Sequence, residues 1–205
     1  MVRSEHSGNR DTLLRFRDDK RFVIREVGIS VDDCAKIKKL YDELKKYGIE
    51  VPVNFVVAEK NDKARQYYKS IGVTSGTKGL YAIVDNIEWA DVGDPEIKQK
   101  FEKETIDLYR KIISYYEDKM KAKEYYLLDI GSWEQYVYGR KAGDEEDYIY
   151  LVDVGGEYTK DPLQLMILLE TKLLSEIIDV ELNYNQNKGD IIKRANELLA
   201  LTKHI

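Results

Sequence analysis

Apolar and polar positions in the first half of the chain follow patterns that predict four strands and one helix. Two strand-like runs flank Asp18-Asp19-Lys20, and turn-forming residues between two such runs are typical of a β-hairpin. The helix begins after Ser30, has apolar residues at helical spacing, and ends before Gly48. The predicted strands are residues 12–17, 21–27, 51–57 and 80–84.

The second half of the chain predicts three helices and a second hairpin. Asp94-Pro95 and Asp161-Pro162 each combine an N-capping Asp with a Pro at the first helical position, so a helix is expected after each pair. One buried face of the first of these helices is predicted from the spacing of Ile106, Tyr109, Ile113, Tyr116 and Met120. The other predicted elements are strands at residues 136–138 and 148–154 and helices at residues 163–182 and 190–203.

Strands therefore dominate the first part of the chain and helices the second. Regularly alternating β–α–β units, which would predict a parallel doubly wound sheet, are absent from this order. We expect an α+β protein with a small antiparallel sheet and one helix over residues 1–90, followed by a mostly helical lobe over residues 91–205.

Aromatic residues are expected to contribute mainly to packing. In the pairs Tyr115-Tyr116 and Tyr125-Tyr126, we expect one ring inside the protein and the other at its surface. Trp89 and Trp133 are expected to be packing residues.

Composition restricts the classes of function. The chain has 33 Lys and Arg against 38 Asp and Glu, and this net charge of −5 argues against binding to nucleic acid or to a membrane surface. A lone Cys34 and a start without the apolar core of a secretory signal favour a cytoplasmic protein. The two histidines, His6 and His204, stand at opposite ends of the chain, so carboxylates, with or without a metal ion, must carry any chemistry.

Two aspartates stand at the ends of apolar runs. Asp129 follows Tyr125-Tyr126-Leu127-Leu128, and Asp153 follows Tyr148-Ile149-Tyr150-Leu151-Val152 and precedes Val154-Gly155-Gly156. A carboxylate at the end of a buried strand can face a cleft, although Asp is also a common turn residue. A turn is the simpler interpretation of either residue alone, whereas the two together indicate a more specific arrangement.

In this order of elements, Asp153-Val154-Gly155 resembles the metal-binding Asp-Phe-Gly motif of the protein-kinase-like superfamily, particularly its aminoglycoside- and choline-phosphotransferase-like branches. Asp129 resembles the catalytic-loop aspartate, and Glu134 or Gln135 falls where that loop has a metal-binding Asn. The resemblance implies a site for ATP and Mg²⁺, in which Asp129 orients the acceptor hydroxyl and Asp153, with Glu134 or Gln135, holds the metal.

The resemblance continues upstream in the expected order. Phe22-Val23-Ile24-Arg25 resembles the strand that ends in a phosphate-pairing Lys, and Glu43, or alternatively Asp42, resembles the acid that pairs with it. Residues 80–88 resemble the strand and hinge that cradle an adenine, so the resemblance implies that Asp85 and Ile87 contact the nucleotide.

Other residues depart from the family pattern. Ser7-Gly8-Asn9 resembles only a remnant of the glycine-rich phosphate loop, with the first strand of the sheet missing. Arg25 replaces a Lys, and Leu-Leu-Asp lacks the usual His or Arg before Asp129. Each loss weakens the positioning or charge neutralisation on which phosphoryl transfer depends.

Three functions remain open at this point. The chain could be a pseudokinase-like module that binds a protein partner, a weak ATP- and metal-dependent phosphotransferase, or an unrelated α+β interaction domain without a nucleotide site. The paired aspartates and the hinge-like segment favour the first two functions over the third. The missing phosphate loop and Arg25 favour the pseudokinase-like module over the enzyme.

Overall fold

The computed structural model of the chain describes residues 2–3, 13–15, 21–27, 31–52, 55–59, 66, 80–152, 158–179 and 188–203. Its strands and helices form the predicted α+β fold. The chain divides into two compact units, the first with Met1–Tyr41, Pro52–Glu88 and Lys141–Asp144, the second with Asp42–Val51, Trp89–Arg140 and Glu145–Ile205.

The first unit contains a five-stranded antiparallel sheet with strand order β1-β2-β3-β5-β4. The helix α1 (Val31–Leu44) follows β3 in the chain, which is the predicted order. The sheet strands are β1 (Val2–Arg3), β2 (Leu13–Arg15), β3 (Phe22–Val27), β4 (Phe55–Glu59) and β5 (Leu80–Asp85).

The expectation that the first strand is missing is wrong. Val2 pairs with Arg15 and Arg3 pairs with Leu14, so β1 adds an edge to the β2–β3 hairpin. Two residues are too few to show a period-two pattern in the sequence, because such patterns become recognisable only over about four to eight residues. Ser7-Gly8-Asn9 lies outside the described residues.

The second unit is built around the helix α2 (Pro95–Ala122). Its N-terminus is capped as predicted, because the Asp94 carboxylate accepts hydrogen bonds from the backbone N–H groups of Glu96 and Ile97 at 2.8 and 3.3 Å. Ile106, Tyr109, Ile113 and Tyr116 are buried, which confirms the predicted apolar face, while Met120 is half-buried. The remaining strands of the chain are β6 (Ile87–Trp89), of which Ile87 and Glu88 belong to the first unit, β7 (Tyr126–Leu127), β8 (Tyr136–Lys141), β9 (Tyr148–Leu151) and β10 (Tyr158–Thr159).

The helical segment after Asp161 has a π-helical turn in its middle. It consists of α3 (Pro162–Leu168), the π-helical segment (Leu169–Leu173) and α4 (Leu174–Asp179). Leu165, Leu169, Leu173 and Ile177, spaced by four residues, are all 0% exposed. An α-helix has 3.6 residues per turn, so this spacing would drift around it. The wider π turn absorbs the difference and keeps the four side chains on one buried face.

The last helix, α5 (Lys188–Lys203), packs against α2. The Arg194 guanidinium donates hydrogen bonds to Ser114 Oγ and to the Glu117 carboxylate, each at 3.0 Å. No helix in the described ranges has the length and apolar character needed to cross a membrane.

Two expectations about aromatic residues are wrong. Tyr115 and Tyr116 are both 0% exposed, whereas Trp89 is 78% exposed. The other two are confirmed: Tyr125 is exposed and Tyr126 buried, and the Trp133 ring contacts Phe101 at 5.7 Å and Tyr136 at 6.0 Å between centroids. Tyr115 and Tyr116 can both be buried because both hydroxyls make hydrogen bonds.

Candidate functional site

Asp129 lies on a short loop between β7 and β8, which we call the Asp129 loop (residues 128–135). The loop is two successive 3₁₀ turns, Asp129–Gly131 and Trp133–Gln135. The Ser132 N–H donates to the Asp129 carbonyl at 2.9 Å, which closes the first turn. The Asp129 side chain is half-buried at the start of this turn.

Three tyrosine hydroxyls fix the loop and the end of β7. Tyr116 donates to the carbonyls of Leu127 and Leu128 at 3.0 and 3.1 Å. Tyr136 donates to the Ile130 carbonyl at 2.7 Å, and Tyr115 accepts from the Leu127 N–H at 3.0 Å. These bonds join side chains of α2 and β8 to the backbone of the loop and of β7, so the loop has a defined conformation.

The protonation state of these tyrosines suits that role. Burial raises the pKa of Tyr116 well above its usual value, and the neighbouring Tyr136, Tyr115 and Asp129 raise the pKa further. Burial likewise raises the pKa of Tyr115. Both hydroxyls therefore stay protonated at neutral pH, so Tyr116 keeps the hydrogen that it donates to the loop.

The end of the loop is hydrogen-bonded to the end of β9. The Val152 N–H donates to the Gln135 carbonyl at 2.9 Å, and Tyr136 pairs with Leu151 in the antiparallel β8–β9 ladder. The Leu151 N–H donates to the Glu50 carbonyl at 2.9 Å. Val152 is the sequence neighbour of Asp153, and Asp153 itself, with Val154 and Gly155, lies outside the described residues.

A lysine from the π-helical segment reaches the Asp129 loop. Lys172 Nζ donates to Ser132 Oγ at 3.1 Å and lies 3.4 Å from Glu134 Oε1. The side chains of Lys172 and Glu134 are 43% and 69% exposed, so this ion pair is open to solvent. The sequence interpretation missed Lys172 because it lies 38 to 40 residues after its partners.

Glu43 pairs with Lys119 of α2. Lys119 Nζ contacts Glu43 Oε1 and also Glu124 Oε2, the latter at 2.7 Å. Burial lowers the pKa of Lys119, but the hydrogen bonds to Glu124 and Glu43 outweigh this effect, so the pKa is raised. The ammonium stays charged at neutral pH. The pairing of Glu43 with Arg25 stays a prediction, since nothing is described of the Arg25 side chain.

Of the residues implied in nucleotide binding by the resemblance, Glu43 lies in the second unit, and Arg25, Asp85 and Ile87 lie in the first. Arg25 of β3 pairs with Ala82 of β5, and Phe22 pairs with Asp85. Asp85 and Ile87 are buried, with 8% and 7% exposure. Their roles in binding a nucleotide stay predictions.

The metal ligands proposed from the sequence have suitable chemistry. Carboxylate and amide oxygens, such as those of Glu134 and Gln135, are the ligands that Mg²⁺ prefers. In the described part of the chain, however, no three His, Cys, Asp or Glu side chains are grouped so that they could hold a metal ion. The described side chains alone do not form a metal site, so the assignment depends on Asp153.

Comparison with known proteins adds no relative: no family model, no curated protein and no solved structure matches the chain.

Proposed function

We propose that this chain is a reduced protein-kinase-like protein, a pseudokinase-like module that binds ATP and a divalent metal weakly and holds a protein partner. The observation that carries the proposal is the construction of the Asp129 loop. Three tyrosine hydroxyls fix the loop, and its Gln135 carbonyl is bonded to Val152, the residue before Asp153. A catalytic-loop aspartate beside a metal-binding aspartate requires such a connection, because phosphoryl transfer depends on positioning.

The sheet of the first unit gives further support. A hairpin, a helix and two strands follow each other in the order that the resemblance implies, and β3 lies beside β5. Arg25 of β3 and Asp85 at the end of β5 are therefore on neighbouring strands of one sheet. A side chain that binds the phosphates of a nucleotide and a segment that binds its adenine would have to lie close together, as neighbouring strands do.

Fast phosphoryl transfer is not part of the proposal, because Glu43, the acid expected to pair with the phosphate-binding cation, is already paired with Lys119. Arg25 carries a larger, planar head than the Lys that it replaces, which would displace a nucleotide. A cytoplasmic location belongs to the same proposal, because a lone Cys34 fits a reducing compartment.

The test is thermal stability with ATP and Mg²⁺ or Mn²⁺, together with ATP consumption. Ligand at 100 times its dissociation constant adds about 2.7 kcal/mol to the free energy of unfolding. We expect a shift in the wild type that Asp153→Ala abolishes and that Asp129→Asn and the control Asp190→Ala retain. We expect turnover well below the ~1–100 s⁻¹ of working kinases.

Two outcomes would contradict the proposal. Turnover at the rate of working kinases, abolished by Asp129→Asn, would make the chain a true phosphotransferase. If ATP and metal cause no shift in the wild type at millimolar concentration, the chain is an interaction domain without a nucleotide site.

A further inference from the structure

The position of Lys172 follows from the packing of two named segments. Leu168, one turn before Lys172, lies directly over Gly131, and a Cβ on Gly131 would be 2.6 Å from Leu168 Cδ2. Only a glycine allows the helix to approach the Asp129 loop this closely. This approach, with the π turn between them, brings Lys172 to Ser132 and Glu134.

The partners of Lys172 leave its charge available. The ammonium has three N–H donors, of which one bonds to Ser132 Oγ at 3.1 Å. The contact with Glu134 is long, at 3.4 Å, and exposed, so solvent screens it and an anion can replace it at little cost. Lys119 offers a contrast, because its side chain is only 13% exposed and bonds to two carboxylates.

We propose that Lys172 is a phosphate-binding residue of the Asp129 site. Its ammonium brings a positive charge to the Asp129 loop, since residues 128–135 contain no Lys or Arg. Ser132 holds the amine near the loop, and Glu134 competes with the phosphate for it. The ligand class is a phosphate group, supplied by a nucleoside triphosphate or by another phosphorylated molecule, and lysine binds such groups as a point charge.

This inference concerns the same site as the proposed function and rests on that function. A probe without metal tests the role of Lys172 separately from nucleotide binding. The full chain is titrated calorimetrically with inorganic tripolyphosphate without metal, and with ATP and Mg²⁺. Lys172→Met removes the charge and keeps most of the stem. Lys203→Met is the matched control, because Lys203 also forms an exposed ion pair with the π-helical segment, at 2.9 Å from Glu170.

We expect Lys172→Met to weaken tripolyphosphate binding about tenfold or more, because a hydrogen bond to a charged group is lost. Lys203→Met should change the affinity by less than about twofold, as an exposed pair contributes little. Glu134→Gln should tighten tripolyphosphate binding, because it removes the competing carboxylate. A purely structural role for Lys172 would not produce this opposite effect.

The outcomes separate the two proposals. If ATP binds with Mg²⁺ and Asp153→Ala abolishes binding while Lys172→Met leaves it unchanged, the inference is overturned and the proposed function stands. If tripolyphosphate binds through Lys172 but ATP binds no better than tripolyphosphate, the inference stands and the nucleotide site does not. If tripolyphosphate does not bind the wild type at millimolar concentration, or if Glu134→Gln weakens its binding, the inference is wrong.

Discussion

Gly131 and Leu168 are in contact so close that a methyl group on Gly131 would overlap the Leu168 side chain, with 2.6 Å between its Cβ and Leu168 Cδ2. The hydroxyl of Tyr116 would lie 3.2 Å from the same Cβ. The contact therefore holds the segment that carries Lys172 against the loop that carries Asp129. Stability and ligand binding should both depend on it.

Gly131→Ala should lower the free energy of unfolding by about 1–3 kcal/mol, because it overpacks a buried contact. Urea denaturation measures the change. Gly189→Ala is the control, since Gly189 lies in α5 and a Cβ there would meet nothing within 4 Å. In a helix Ala is favoured over Gly by up to about 1 kcal/mol, so this variant should be neutral or stabilising. Equal effects of the two substitutions would mean that the contact with Leu168 is unimportant.

Local signals in the sequence predicted much of the fold. Asp94-Pro95 and Asp161-Pro162 mark two helix N-termini correctly, because capping depends on residues that are adjacent in the chain. The two-residue strand β1 and the π turn were not foreseen. The strand β1 depends on partners distant in the sequence, Leu13–Arg15, and the π turn depends on the burial of four side chains, Leu165, Leu169, Leu173 and Ile177, which spacing alone does not show.

The residues of the candidate site, like the elements of the fold, could be predicted from the sequence only in part. Asp129 was proposed from the sequence because it follows a recognisable apolar run, and Gln135 because the resemblance puts it, or Glu134, where the catalytic loop has an Asn. Lys172 was missed because a lysine in an amphipathic helix is usually a solvated surface residue, and only tertiary packing brings it to Ser132. The hydroxyl bonds of Tyr115 and Tyr116 were missed for a related reason, since their acceptor and donor groups belong to the backbone of another segment.

Tyr116→Phe should destabilise the protein by about 1–3 kcal/mol, because the buried Leu127 carbonyl loses a hydroxyl donor, whereas the Leu128 carbonyl keeps the Gly131 N–H. Tyr125→Phe is the matched control: its ring is 58% exposed, so the change should stay within about 0.5 kcal/mol. Hydrogen exchange should also become faster at Gly131 and Ser132 in Tyr116→Phe. Unchanged exchange there would show that the hydroxyl does not fix the Asp129 loop.

Lys119→Met should lower the free energy of unfolding by about 1–3 kcal/mol, since Glu43 and Glu124 lose a charged hydrogen-bond donor. Lys193→Met is the control, because its ion pair with Glu197 is 3.9 Å long and both side chains are more than half exposed. The control should change stability by less than about 0.5 kcal/mol. If both variants unfold at the same urea concentration as the wild type, Lys119 does not stabilise the second unit.

Alkaline pH should unfold the protein through its buried tyrosines. Burial raises the pKa of Tyr126 and of Tyr138 to about 12, and it also raises the pKa of Tyr115 and Tyr116. Tyrosines in the unfolded chain titrate near 10. Above about pH 10 the unfolded state therefore releases protons that the folded state keeps, so stability present below pH 10 is lost as the pH rises through the folded-state values.

Urea denaturation between pH 7 and pH 12 measures this loss, and tyrosinate absorbance reports which rings titrate with unfolding. We expect little tyrosine-linked change below about pH 9.5, then a fall whose slope approaches about 1.4 kcal/mol per pH unit for each retained proton. Tyr126→Phe should reduce the slope, because it removes one retained proton. Constant stability up to pH 11.5, or titration of every tyrosine near pH 10 in the folded protein, would contradict the buried, protonated hydroxyls that hold the Asp129 loop.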